Sequence, residues 1–186
     1  WNADSFRSVA TKWGHIGGIS ELDFSPDGAL VATAGSLCLK TWTPDSVAET
    51  SFGTGIYQQI VDVEIGPDSK RLLASDNLGR LVEWDLPTRK PVRQLARAAV
   101  PPSAVRGIAW SRNGRYVAWA NDDENVYLRD DTTRKKKVLR GHDEAVTSVA
   151  FSADENDLYS CSTDKSVRKW DIAAESSSVL FQSDQP

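Results

Sequence analysis

His142, Ser160 or Ser162, and Asp164 lie within one stretch of this 186-residue chain. These are the residue types of nucleophilic hydrolysis, where an imidazole takes the hydroxyl proton and a carboxylate orients the ring. The rest of that machinery is missing from the sequence. No G-x-S-x-G turn presents either serine as an exposed nucleophile. No G-x-x-x-x-G-K-[ST] phosphate loop and no G-x-G-x-x-G occurs, and the 2 histidines and 2 cysteines lack metal-ligand spacing. The acidic runs NDDEN (Asp122, Asp123, Glu124) and ADEND (Asp154, Glu155, Asp157) do not match a calcium loop and read as solvated turns. The sequence therefore calls for no catalytic residue, no metal and no cofactor.

Composition narrows the choice further. The chain is 40% hydrophobic and 26% charged with a formal net charge of −4, which gives no overall attraction to nucleic acid or anionic membrane. No apolar run approaches about 18 residues, so no membrane span is expected. Cys38 and Cys161 form no disulfide framework and no N-x-[ST] acceptor occurs, which points to an intracellular compartment, cytoplasmic or nuclear. Both cysteines are read as small buried hydrophobes in strands. The one basic run, RKKKVLR, carries Arg134, Lys135, Lys136, Lys137 and Arg140. It could take a phosphate, nucleic acid or a phosphoinositide headgroup. The competing reading is an outer strand whose cations guard an exposed sheet edge, and TRKPVR (Arg89, Lys90, Arg93) repeats that character one period earlier.

The elements that must position these residues follow a repeat. Trp42 in TWTPD, Trp84 in EWDLP, Arg129 in LRDDT and Trp170 in KWDIA occupy one slot at spacings of 42, 45 and 41. Phe24 in LDFSPDG, Ile65 in VEIGPDS, Trp110 in IAWSRNG and Phe151 in VAFSADE run in phase at 41, 45 and 41. Each period holds four short runs with partial period-two alternation, separated by polar turns, and so predicts four antiparallel strands, a to d. Four strands per period is one blade of a β-propeller.

Gly14-His15, Gly141-His142, the FSPDG turn and the Trp-Asp pairs at 84–85 and 170–171 carry a resemblance to the WD-repeat family over essentially the whole chain. The resemblance implies an all-β propeller with four four-stranded blades plus one N-terminal outer strand, within a larger ring of about seven blades. It also implies that His142, Ser160 (or Ser162), Asp164 and Trp170 form a buried structural hydrogen-bond chain rather than a hydrolase site. The first blade keeps His15, Thr33 and Trp42 but has no Asp in AGSLC. In the second, Leu78 stands in the Asp slot, and in the third Arg129 replaces the Trp.

Family members bind proteins and peptides on the face carrying the d–a and b–c loops. Carried over, the positions there include Ser20, Gln59, Asn77, Arg106, Asp122, Thr147 and Thr163. Arg106 shares strand parity with Ile108 and Trp110 and could grip an anion or pair with Asp122. The expected organisation is 1–12 as the end of a preceding blade, then blades over 13–52, 53–96, 97–140 and 141–186. Trp1-Asn2 would fill the Trp-Asp slot of that preceding repeat, and DSFRSV and SSVLFQ both read as strand d. Ring closure then requires further blades from the same or another chain. The functional expectation is a non-enzymatic protein-interaction scaffold. Its rivals are a nucleic-acid or phosphoinositide reader, a propeller hydrolase, and the sensor of a multidomain regulator.

Overall fold

A computed structural model describes residues 14–15, 17–36, 38–44, 49–52, 59–97, 103–174 and 176–183. The expected end of a preceding blade, 1–12, lies outside them, as does most of the proline-containing loop before strand a of the third repeat. Sixteen strands are described, in four sheets. The first holds β1 (Ile19–Phe24), β2 (Val31–Gly35), β3 (Leu39–Trp42) and β4 (Glu49–Ser51). The second holds β5 (Ile60–Ile65), β6 (Arg71–Asp76), β7 (Leu81–Asp85) and β8 (Lys90–Ala96). The third holds β9 (Val105–Trp110), β10 (Tyr116–Asn121), β11 (Val126–Asp130) and β12 (Lys136–Leu139). The fourth holds β13 (Val146–Phe151), β14 (Asp157–Ser162), β15 (Ser166–Asp171) and β16 (Ser176–Gln182). Each sheet is an antiparallel meander in chain order, and β1, β5, β9 and β13 adjoin one another in series. This is the blade arrangement of a propeller.

Period-two alternation gives every sheet two faces, and the second and third sheets pack on both. Ala32, Ala34, Leu39 and Phe52 of the first sheet meet Val63, Ile65, Leu72 and Trp84 of the second. Leu73 and Leu81 then meet Val105, Ile108, Trp110 and Trp119 of the third. Ala118, Ala120, Val126 and Leu128 meet Val146, Val149, Leu158 and Trp170 of the fourth. At the first and third junctions small residues on one sheet receive an indole from the next, which lets the blades close tightly. The third junction is closest at Gly107, where an added Cβ would lie 2.9 Å from Ser148 Cα. Side-chain acceptors tie the first two junctions. Asp23 takes the Ile65 N–H at 2.6 Å, Asp62 takes that of Ile108 at 2.7 Å and Glu64 takes that of Trp110 at 2.9 Å.

Candidate functional site

In the fourth sheet Trp170 Nε1–H donates to Ser160 Oγ at 2.8 Å, and Ser160 Oγ meets His142 Nε2 at 2.8 Å. His142 Nδ1 meets Asp164 Oδ2 at 2.7 Å. The carboxylate sets the direction of the protons. Nδ1–H donates to Asp164, which leaves Nε2 to accept the Ser160 hydroxyl proton. Ser160 is the serine involved; Ser162 instead donates to the Glu144 carbonyl at 3.0 Å. Ser160 is 1% exposed, and its hydroxyl is held by an indole on one side and an imidazole on the other. Desolvation works against the Asp164 charge. Hydrogen bonds from Ser166, His142 and the Asp143 and Ser166 amides outweigh it and hold the carboxyl well below the usual range.

The other sheets vary this chain. In the first, Trp42 Nε1–H donates to Thr33 Oγ1 at 2.7 Å, and Thr33 meets His15 Nε2 at 2.7 Å. Strand register puts Ala74 of the second sheet where Thr33 and Ser160 stand, so Trp84 Nε1 is buried with no hydrogen-bond partner among the described residues. Its b–c turn is closed by Asp76, two residues before the slot read as Leu78. The Asp76 carboxylate is fully buried, accepts the Leu78 and Arg80 N–H groups and pairs with the Arg80 guanidinium at 2.5 Å. In the third sheet Trp119 fills the serine slot and stacks on Tyr127 at 5.3 Å. Arg129, in the Trp slot, turns to Asp131 at 2.8 Å, and Arg93 of the second sheet joins both Asp131 and Glu83. Sequence reading missed Asp76, Glu83 and Asp131. The signal for the last two was a charged residue, Arg129, in a slot otherwise held by an indole.

Each first strand carries an irregularity at the same place. Pairing with the second strand skips Ser20, Val61, Arg106 and Thr147 in turn. A bulge of this kind takes one side chain out of the alternation and re-aims it. For Arg106 this overturns the parity reading: it is off the Ile108 and Trp110 face and exposed. Its guanidinium forms a two-point pair with Asp122, Nε to Oδ1 at 2.7 Å and Nη2 to Oδ2 at 3.1 Å. Ser20 Oγ donates across the junction to the Ile60 carbonyl at 2.8 Å, whereas Thr147 Oγ1 donates within its own sheet to the Cys161 carbonyl at 3.2 Å. Beside the bulges the b–c turns are pinned alike, Asn77 N–H to Gln59 O, Asp122 N–H to Ala104 O and Thr163 N–H to Ala145 O, at 3.0–3.1 Å. Ser20, Gln59, Asn77, Arg106, Asp122, Thr147 and Thr163 thus share one edge of the sheet array. All are exposed except half-buried Asp122.

The basic run divides between a turn and a strand. Arg134, with φ of 58°, and Lys135 belong to the turn before β12, while Lys136 and Lys137 lie on that outer strand and Arg140 follows it. Lys136 Nζ lies over the Tyr127 and Trp119 rings at 5.0 and 5.9 Å, and Arg140 donates to Asn125 at 3.2 Å. The cysteine reading needs correction. Cys161 is exposed because β14 turns it to the uncovered face of the fourth sheet, and half-buried Cys38 precedes β3, with its thiol on His15. Among the described residues no group of three or more His, Cys, Asp or Glu side chains could hold a metal ion.

Comparison with known proteins places these features. The WD40 family model (WD domain, G-beta repeat) matches residues 6–43 and 133–171. A nuclear distribution protein PAC1 of Arthroderma otae is 24% identical over 98% of this chain and 46% of its own length. A TAF5-like RNA polymerase II p300/CBP-associated factor-associated factor subunit of mouse is 32% identical over 67% of the chain and 19% of its own length. WD repeat-containing protein AAC3 of Dictyostelium discoideum is 29% identical over 86% of the chain and 34% of its own length. The chain spans less than half the length of each of these relatives. Four antiparallel meanders in series, tryptophan-anchored hydrogen-bond chains and these matches together make the chain a member of the WD-repeat family.

Proposed function

We propose that this chain is a non-enzymatic, intracellular interaction scaffold, part of a larger propeller, that binds partner proteins or peptides on the edge carrying the d–a and b–c loops. The bulge repeated in all four first strands carries this reading. It re-aims Ser20, Val61, Arg106 and Thr147 at the same edge, over backbone held rigid by the sheets. Arg106, with its side chain half exposed and oriented by Asp122, is a ready anchor for a partner carboxylate. The names of the relatives, a nuclear distribution protein and a transcription-associated subunit, are in keeping with work inside assemblies. Enclosure of Ser160 between Trp170 and His142 removes the serine a hydrolase would need. Ile19, Leu22 and Phe24 leave an apolar face on the first sheet, each more than half exposed, which supports an adjoining blade there.

The test compares two charge reversals in the intact protein, Arg106→Glu on the loop edge and Lys135→Glu beside the outer strand. Proteins that co-purify with the wild type should be lost from the first variant and kept by the second, at equal thermal midpoints. Loss from the second alone, accompanied by steep salt dependence, would move the function to nucleic acid or phosphoinositide binding through Arg134–Arg140.

A further inference from the structure

The imidazole chain occurs twice, and it ends differently. In the fourth sheet His142 Nδ1 is closed off by Asp164, with Ser166 Oγ also 3.1 Å away. In the first sheet Nδ1 of His15 meets the Cys38 thiol, Sγ at 3.0 Å. Register explains the exchange. Thr33 pairs with Lys40 and Ser160 with Arg168, so Cys38 holds the place of Ser166, two residues earlier on the third strand. The shorter b–c turn supplies no aspartate to compete for the ring.

Two further features shape the pair. A Cβ on Gly35 would stand 2.2 Å from His15 Nδ1, so the ring lies against bare backbone; Ser162 holds that register position in the fourth sheet. Lys40, on the Thr33 face of β3 with its Nζ over the Trp42 ring at 5.8 Å, adds a buried cation on the same side. Cys38 itself is half-buried just before β3, and this partial exposure gives a small reagent access to the thiol. Cys161 differs on each count. It is exposed, and both histidines are engaged elsewhere, His15 with Cys38 and His142 with Asp164.

We propose that Cys38 is a modification site, a histidine-activated thiol that exchanges with low-molecular-weight disulfides. His15 Nδ1 takes the proton from Sγ, and the thiolate attacks one sulfur of RS–SR. A Cys38–S–SR bond forms as the S–S bond of the reagent breaks. The RS⁻ leaving group takes the proton from His15 and departs as RSH. Cys38 sulfur is oxidised and the departing sulfur is reduced, with the disulfide as the oxidant. Once capped, Sγ no longer carries a proton for Nδ1, and the added group crowds the His15–Thr33–Trp42 chain, so modification loosens the first blade.

The test treats the intact protein with limiting oxidised glutathione at neutral pH and follows both cysteines by peptide mass mapping. Cys38 should form the mixed disulfide about tenfold faster than Cys161 despite its lower exposure. His15→Gln should bring the Cys38 rate down to that of Cys161, and the mixed disulfide of the wild type should melt at a lower temperature than the reduced protein. Equal or faster modification of Cys161 in the wild type overturns the proposal without reliance on any variant. An unchanged Cys38 rate in a folded His15→Gln protein does so as well.

Discussion

Asp62 accepts the backbone N–H of Ile108 at 2.7 Å across the junction of the second and third sheets. The bond fixes the spacing of two blades by placing a carboxyl group where water is scarce. Burial pushes Asp62 up to about 7, against the pull of the Ile108 amide, with Glu21 and Asp23 adding like charge. Glu64, bound to the Trp110 N–H, is pushed up to about 8 by burial, with Asp23 and Asp62 as its like-charged neighbours.

The sign of the pH dependence follows from those raised values. In the unfolded chain both groups release their protons near pH 4, whereas the folded chain keeps them to about 7 and about 8. Over that window the folded state holds more protons, so stability falls as pH rises and levels off above both folded values. Denaturant midpoints should rise on acidification from pH 8 towards pH 5. Asp62→Asn with Glu64→Gln keeps an acceptor oxygen for the Ile108 and Trp110 amides and should flatten the slope.

Asp164 acts in the opposite sense. Its folded value is depressed, so the stability it contributes is present above the ordinary carboxylate range and is lost as pH falls from there to the depressed folded value. Together the three groups predict a stability maximum at mildly acidic pH, and thermal melts across a pH series check it.

His142→Ala should lower stability while leaving the exposed loop edge chemically unaltered. It strands Asp164 and removes the acceptor of the Ser160 hydroxyl, at about 1–3 kcal/mol for each group left unsatisfied. For a chain of this size that corresponds to roughly 2–4 °C per kcal/mol. An unchanged melt would count against a structural role for the ring.

Trp84 offers the converse experiment. Its Nε1–H has no partner among the described residues, because Ala74 stands where Thr33 and Ser160 serve their indoles. Ala74→Ser supplies the missing acceptor and should raise the midpoint by about 1 kcal/mol. A drop would mean that the 1% exposed Ala74 site has no room for the hydroxyl.

Arg93 and Asp131 join the second and third sheets and are both half-buried, with Glu83 and Arg129 completing the ion chain. A double-mutant cycle between Arg93→Ala and Asp131→Ala should give a coupling of about 0.5–3 kcal/mol. Additive losses would assign the stability to other contacts.

The repeat was legible because alternation and turn residues act locally. A residue's face in a strand depends on its neighbours one and two positions away, and two landmark series in phase at 41–45 residues define a blade without any long-range information. The set in the fourth sheet, His142, Ser160, Asp164 and Trp170, was legible through the resemblance to WD repeats. Register was not. It decided that Ser160 rather than Ser162 receives Trp170, that Ala74 leaves Trp84 unserved, and that Asp76 closes the turn in which Leu78 fills the aspartate slot. The bulges lay beyond the sequence too, since skipping one residue requires the partner strand, and the skip moved Arg106 from the core parity to the open edge. Contacts between blades depend most on the tertiary structure. Asp62 and Ile108 are 46 residues apart, as are Glu64 and Trp110, and only the packing of one sheet on the next turns these carboxyls into buried junction acceptors. The same distance effect set Cys38 against His15 across 23 residues, giving one of two thiols an imidazole partner.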